Sequence, residues 1–516
     1  MAVKRNIVAN YLGQAATGLL GIIFVPVYIH YLTIEAYGLV GLFAVVGVWL
    51  SLLDLGMAPT LGREMSRFSA GVVTVQSIRD LLRSLEIVVG AIGMLIVAVM
   101  FVAAPFLSVH WLNTRLPTGT VVVSLEIMAL VVGLRFCEGI YRSALMGLQQ
   151  QVWLNGASVA LAVVRTAGAI FVIALVSKTI EAFFLWQAVI SLASLALVAS
   201  KLHFSLPPAP RRASFSTAEL SRVRSFAGGM FATTILAVTL TQADKLLLSR
   251  LLTLSDFGFY MLAAAIAGTL YMVVGPVTSA IYPVFVRLVS SDDQPRLARA
   301  YHESSQFISV MLAPVVAMLA AYPHAVLYVW SNDDGLARRT APLLAVLALG
   351  TFLNGLMNIP HQLQLAYAWT RLSIGSNIIA VVALIPALFW AVPRYGPIAA
   401  AAIWFVLNFT YLVVQMPMMH RRLLRGELRR WYLADVGMPV LGAVLVIAVA
   451  TVVMPDAPGS RIGWFVRLAV IGATTLAGSV SMTADIRKRL FDALQVVASR
   501  RRERFRQRVP LDQGRQ

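Results

Sequence analysis

The sequence predicts an all-α polytopic membrane protein of about 14 transmembrane helices, with two six-helix lobes related by a parallel pseudo-two-fold repeat, plus two C-terminal helices. Three observations predict it: composition, the spacing of apolar runs, and similarity between segments about 220 residues apart. Of 516 residues, 59% are hydrophobic and 13% charged, and mean hydropathy is +0.79. Soluble chains average about 45–50% apolar and about 25% charged. An ordinary set of soluble domains is therefore excluded, as are disordered, collagenous and coiled-coil chains. Yet 42 Lys+Arg stand against 23 Asp+Glu, a net charge of +19.

A span needs roughly 20 mostly apolar residues. Such stretches run over 7–30, 38–61, 85–107, 121–141, 153–176, 181–202, 226–249, 257–286, 306–329, 341–366, 373–392, 396–419, 433–454 and 462–482. Lys4 and Arg5 precede the first, and no small-residue cleavage site follows a short core, so it reads as a retained span. With the N-terminus inside, 31 cations fall on cytoplasmic segments and 7 on the opposite side. The remaining four, Arg135, Arg165, Lys245 and Arg467, fall within spans. This bias follows the positive-inside rule and puts both termini in the cytoplasm. The longest outside loops, 108–120 and 330–340, are too small for a folded domain.

The organisation that follows is an N-terminal lobe over 1–202, a cytoplasmic linker and surface helix over 203–225, and a C-terminal lobe over 226–420. Spans 13 and 14 occupy 421–484, and a basic amphipathic tail 485–516. Within the linker, Pro207, Pro208 and Pro210 precede Ser216-Thr217-Ala218-Glu219, a capping box that opens a short helix. In the tail, Ile486, Leu490, Leu494 and Val497 share one helical face, and an arginine run follows. Such a segment lies on an anionic inner leaflet. In a chain of this many spans, membrane lipid outranks nucleic acid as its partner.

The repeat aligns Leu32-Thr33-Ile34-Glu35-Ala36-Tyr37-Gly38-Leu39 with Leu252-Thr253-Leu254-Ser255-Asp256-Phe257-Gly258-Phe259 at an offset of 220. Arg67 meets Arg287 at the same offset, and Phe136-Cys137-Glu138-Gly139 meets Phe352-Leu353-Asn354-Gly355 at 216. Six spans separate the copies, so both point the same way in the membrane. Transporters built from parallel repeats bind substrate between the halves and rock them.

Ionisable groups inside a membrane are costly and usually face a cavity or a partner. Arg135, Glu138, Arg142 and Gln149 fall on one arc of span 4, and Asn354, Asn358 and His361 on a similar arc of span 10. Span 1 carries Asn10, Gln14, Thr17 and Gly21. Span 7 carries Thr234, Thr241, Gln242, Asp244 and Lys245, and span 5 carries Arg165. One reading is a hydrophilic cavity lined by spans 1, 4, 7 and 10, with cations for an anionic ligand. The competing reading is structural: Arg135 neutralises Glu138, Asp244 pairs with Lys245, and Arg142 and Lys245 snorkel. Asp54, deep in span 2, serves helix packing or ion coupling. His30, His110, His203, His302, His324 and His420 sit near loops and read as interfacial.

No glycine precedes any of the five lysines, so a phosphate loop is excluded, and His302-Glu303 opens no H-E-x-x-H zinc motif. The single cysteine, Cys137, lies in an apolar run and reads as a small hydrophobe. No cofactor or metal is expected, and no soluble domain exists to carry a catalytic constellation.

The chain resembles a polysaccharide (O-antigen type) flippase of the multidrug/oligosaccharidyl-lipid/polysaccharide exporter superfamily. Asn10 to Pro26 with Leu32 to Gly38 resembles that family's opening span and loop, and Leu52-Leu53-Asp54-Leu55-Gly56-Met57 through Arg63-Glu64 its second span. Arg135 to Gln150 resembles its fourth. Ala243-Asp244-Lys245-Leu246-Leu247-Leu248 through Phe257-Gly258-Phe259-Tyr260 resembles its seventh and eighth. The likeness covers roughly 1–420. It implies two lobes in a V, a bacterial inner-membrane location, and movement of undecaprenyl-diphosphate-linked oligosaccharide by alternating access with an ion gradient. It also implies that Arg135, Arg165 and Lys245 are cationic contacts, that Glu138 or Asp244 couples an ion, and that polysaccharide polymerase and chain-length machinery are partners. Lipid II flippases and drug/cation antiporters of the same superfamily stay open as alternatives. A membrane glycosyltransferase or ligase is disfavoured by the short outside loops.

Overall fold

The structure, a computed structural model, describes residues 13, 16–454, 460–483 and 487, without several side chains between 224 and 240. The helices in chain order are α1 (Ala16–Leu32), α2 (Ile34–Asp54), α3 (Met57–Ser69), α4 (Val75–Trp111), α5 (Thr118–Gly147), α6 (Gln151–Val176), α7 (Ile180–Ser205), α8 (Thr217–Leu251) and α9 (Leu254–Gly268). There follow α10 (Tyr271–Ser290), α11 (Gln294–Ala321), α12 (Pro323–Ser331), α13 (Asp334–Ala366), α14 (Arg371–Tyr395), α15 (Pro397–Arg422), α16 (Leu428–Val453) and α17 (Arg461–Met482). Among the described residues, 12 helices are long and apolar enough to cross a membrane. Of the expected stretches, 7–30 meets the shorter α1, and 226–249 lies in α8, part of whose side chains fall outside the description.

Helix dominates because hydrocarbon offers backbone groups no water, so each N–H and C=O must be satisfied within its own segment. The chain divides into two compact units: Met1–Ile266 with Asn377–Ile403, and Ala267–Ser376 with Trp404–Gln516.

In the first unit, α5 packs against α3, α4 and α7. Its apolar cluster includes Leu61, Met65, Ile78, Leu81, Ile140, Leu145 and Leu202. Expected span 38–61 proves to be two helices, because Leu55 and Gly56 adopt left-handed conformations. Asp54 stabilises that break, its carboxylate oxygens accepting the Ala58 N–H at 3.0 and 3.1 Å. Ser216 does cap a helix, its hydroxyl accepting the Glu219 N–H at 3.3 Å. That helix is not short: it runs unbroken to Leu251. The chain before it is strapped to α4. Arg79 donates to the Pro207 and Leu206 carbonyls at 2.8 Å each, and the Ser214 N–H donates to Asp80 at 2.9 Å. The basic amphipathic pattern of the tail lies outside the described residues.

The repeated Leu-Thr-x-x-x-aromatic-Gly segments meet each other. Thr33 and Thr253 each cap the following helix, accepting the Ala36 and Asp256 N–H at 3.4 and 3.1 Å. A Cβ on Gly38 would lie 2.4 Å from the Leu254 carbonyl oxygen, and one on Gly258 would lie 2.4 Å from that of Ile34. The contact is reciprocal: each copy's glycine touches the other copy at the same repeat position. Only hydrogen fits at either site.

In the second unit, α11 is central and packs against α10, α13, α16 and α17. Phe285, Tyr301, Ile308, Leu312, Ile359 and Trp431 are buried in its core.

Because the obstruction at both glycines is backbone, it cannot be relieved by a rotamer change. Gly38→Ala and Gly258→Ala should each destabilise by about 1–3 kcal/mol, measured as a lowered Tm of the purified protein. An unchanged Tm in both would show that the contact carries no structural weight.

Candidate functional site

Within the first unit, residues of α1, α5, α6 and α7 line an open cavity of about 480 Å³. Arg135, Glu138 and Arg142 line it from α5, at the spacing the sequence places on one face. Arg165, Asn155, Ser158 and Thr166 enter from α6, Thr17 and Gly21 from α1, and Ser194 from α7. Gln14 lies outside the described residues.

Glu138 is buried and pairs with Arg142 at 2.8 Å, not with Arg135. Arg142 also donates to the Ser158 hydroxyl at 2.6 Å. Arg135 instead donates to Gln187 at 3.2 Å and to Ser191 at 3.4 Å, and its guanidinium lies 4.9 Å from the Phe43 ring centroid. Those partners are neutral, so its charge is solvated by dipoles and a π-face rather than cancelled. The Arg165 carbonyl accepts the Trp186 indole N–H at 3.0 Å. Its Nε is buried without a hydrogen-bond partner among the described residues. Glu138 also acts electrostatically on both Arg135 and Arg165.

The lining thus holds three guanidinium groups and one carboxylate. Arginine stays protonated under all ordinary conditions, so the excess is positive. Guanidinium forks match the oxygens of carboxylates and phosphates, so the lining offers donors and positive charge of the kind an anion needs.

The other predicted residues lie elsewhere. Lys245 donates to the Thr241 carbonyl at 2.7 Å and stands 3.8 Å from Asp244, which accepts the Tyr260 hydroxyl at 3.3 Å. The Gln242 carbonyl accepts the Trp49 indole N–H at 3.4 Å. None of Gln242, Asp244 and Lys245 lines the arginine cavity. Asn354, Asn358 and His361 belong to the second unit. Asn354 accepts the Tyr271 hydroxyl and donates to Asn408, both at 2.8 Å. Asn358 donates to the Asn354 carbonyl at 3.0 Å, and His361 contacts Ser373 at 3.3 Å. Cys137 faces a different, apolar groove beside Gly93, Val97 and Leu130.

Sequence reasoning missed the small polar residues of α6 and α7. Their signal was present: Asn155, Ser158 and Arg165 recur at helical spacing, as do Gln187, Ser191 and Ser194. Two histidines read as interfacial, His302 and His420, are buried.

With 12 described helices long and apolar enough to cross a membrane, the chain is a multi-pass helical membrane protein by architecture. The family described as polysaccharide biosynthesis protein matches residues 3–289, more than half the chain, and the chain belongs to that family. No curated protein matches it. Among solved structures, the lipid II flippase MurJ in an inward closed conformation is similar, with TM-score 0.70 and 12% identity, over 93% of this chain and 98% of that one. An inward-facing multidrug resistance MATE family transporter of the MOP superfamily follows, with TM-score 0.62 and 14% identity, over 80% and 96%. The MATE multidrug transporter DinF-BH gives TM-score 0.56 and 14% identity, over 82% and 95%. At these identities the likeness is one of fold. The chain thus belongs to the polysaccharide biosynthesis family and shares the fold of a lipid II flippase and of multidrug transporters.

An anion such as pyrophosphate should bind the purified protein and raise its Tm. Arg165→Ala should weaken that binding by at least about tenfold, the loss expected for one charged hydrogen bond. Equal binding by the variant and the parent would remove Arg165 from the site.

Proposed function

We propose that this protein is a transporter that moves undecaprenyl-diphosphate-linked oligosaccharide repeat units from the inner to the outer leaflet of the bacterial cytoplasmic membrane, for surface polysaccharide of the O-antigen type. The observation that carries the proposal is the cavity of Arg135, Arg142 and Arg165 around one carboxylate, in a chain of the polysaccharide biosynthesis family. A diphosphate needs cations and donors, whereas its isoprenoid chain can stay in the bilayer. Lys245 adds a further cationic contact. Gln14, Gln242, Asn354, Asn358 and His361 offer hydrogen bonds to sugar hydroxyls.

Transport proceeds by alternating access of lobes 1–202 and 226–420 among about 14 spans. Glu138, Asp244 and Asp54 are the ion-coupling candidates. Both termini are cytoplasmic, and the basic tail rests on the anionic leaflet. Polymerase and chain-length machinery receive the product. A lipid II flippase would recognise the same diphosphate through the same arginines. A drug/cation antiporter would need a net acidic cavity, and this one is net basic.

Deleting the gene should trap lipid-linked repeat units on the cytoplasmic leaflet and abolish one surface glycan, with peptidoglycan synthesis intact. In that strain, Arg135→Ala or Lys245→Ala should restore export at least about tenfold less well than the parent gene at equal membrane abundance. Unchanged surface glycan in a strain with no second flippase contradicts the proposal. Arrested peptidoglycan synthesis would move the substrate to lipid II.

A further inference from the structure

In the second unit, well along the chain from the arginine cavity, one histidine stands between two carboxylates. His302, in the third turn of α11, is 1% exposed. Its Nδ1 meets Asp435 Oδ2, and its Nε2 lies 3.1 Å from Glu427 Oε2. Asp435 is fully buried at the start of α16, and its other oxygen accepts from Gln306 Nε2 at 2.9 Å.

The proton count of this group is constrained. An ionised carboxylate only accepts hydrogen bonds, and a neutral imidazole carries one N–H. Two contacts between ring nitrogens and carboxylate oxygens therefore need two protons. Either His302 is an imidazolium, or it is neutral and one carboxyl is protonated. Removing one proton leaves a nitrogen lone pair facing a carboxylate oxygen, and one contact is lost. Asp435 keeps Gln306 and has no solvent access, whereas Glu427 is 34% exposed. The Glu427 side is thus where a proton enters and leaves.

His420 nearby behaves differently. Its Nδ1 faces the Met416 carbonyl at 3.0 Å and its Nε2 the Tyr301 hydroxyl at 3.2 Å. A neutral ring satisfies both, so this histidine has no use for an extra proton. Of the other ionisable groups on α16 and its lead-in, Arg425, Arg429, Arg430 and Tyr432, the charge of Arg430 acts on Asp435, and Tyr432 acts on the neighbouring Tyr301. Of the helices packed on α11, α10 carries Arg287 in its last turn and α13 carries His361. In sequence, α16 beyond Asp435 holds no ionisable residue. Those of α12, and of the first turns of α13 and α17, belong to the opposite end of α11, where Arg461 donates to the Val329 carbonyl.

We propose that His302, Asp435 and Glu427 form a proton-binding site that seats α16, and with it α17, on α11. With the proton bound, both ring contacts are made and the seat is closed. As pH rises and the proton leaves, the Glu427 contact opens and the segment around the start of α16 loosens. Its part in transport rests on the transporter reading above. The proton site itself does not, so it is tested without substrate.

The experiment is amide hydrogen exchange on the full-length protein in lipid nanodiscs, from about pH 6 to about pH 9, corrected for intrinsic exchange. In the parent, protection over 426–437 should fall with rising pH, by up to about tenfold per unit for one linked proton. Glu427→Gln makes the contact independent of that proton, because a glutamine amide can donate to the neutral ring. Its protection should stay constant within about twofold across the range. A flat profile in the parent, or a variant that follows the parent's slope, overturns the proposal. Loss of export on gene deletion would be untouched by either result.

Discussion

Charge in a low-dielectric medium must be met by a partner, and much of this structure follows from how that demand is met. A cation at membrane depth costs about 2.5–3.5 kcal/mol by insertion scales and more by simulation. Here three arginines face one cavity, and Glu138 can neutralise only part of their charge. Gln187, Ser191, Ser158 and the Phe43 ring solvate the rest without cancelling it. The residual positive charge is what the proposed diphosphate site rests on. It also explains why α6 and α7, otherwise apolar helices, carry small polar residues at helical spacing.

The same demand explains the second unit's buried histidine. There the balance runs the other way, two carboxylates against one imidazole, and the missing positive charge is a proton. Arginine does not release its proton, so the first site is proposed to be completed by an external anion, whereas histidine can, so the second is proposed to be completed by a proton. Two buried ionic clusters in one chain thus differ in which species completes them.

Backbone satisfaction sets the rest. Helices run long because breaks are costly in hydrocarbon, and several breaks have a visible remedy. Asp54 caps the break before α3, and Thr33 and Thr253 cap α2 and α9 where the two repeat segments meet through Gly38 and Gly258. Much of this was legible in the sequence. Apolar run lengths marked the helices, and Arg135, Glu138 and Arg142 announced one face by spacing alone. The side-chain cap at Ser216 was read correctly, but the reciprocal bond of a capping box is absent because the Ser216 N–H donates to Ser84, and nothing local said that its helix would run on to Leu251. The break at Leu55 and Gly56 was hidden because both residues are apolar and left the hydropathy of the stretch intact. His302 looked interfacial because a polar run precedes it. Its partner Asp435 is 133 residues away in sequence, and only the packing of α16 on α11 brings them together. Pair identities were likewise beyond reach: Glu138 could serve either arginine until the fold gave it to Arg142.

The central claim is that uncancelled cavity cations read a diphosphate. It is tested most directly by equilibrium binding of undecaprenyl-diphosphate-linked oligosaccharide to the full-length protein in nanodiscs, beside the same glycan on an uncharged lipid. The account predicts that the diphosphate lipid binds at least about tenfold more tightly, and that Arg135→Ala combined with Arg165→Ala removes most of that preference. Equal affinity for the two lipids, or a preference that survives the double substitution, would contradict it.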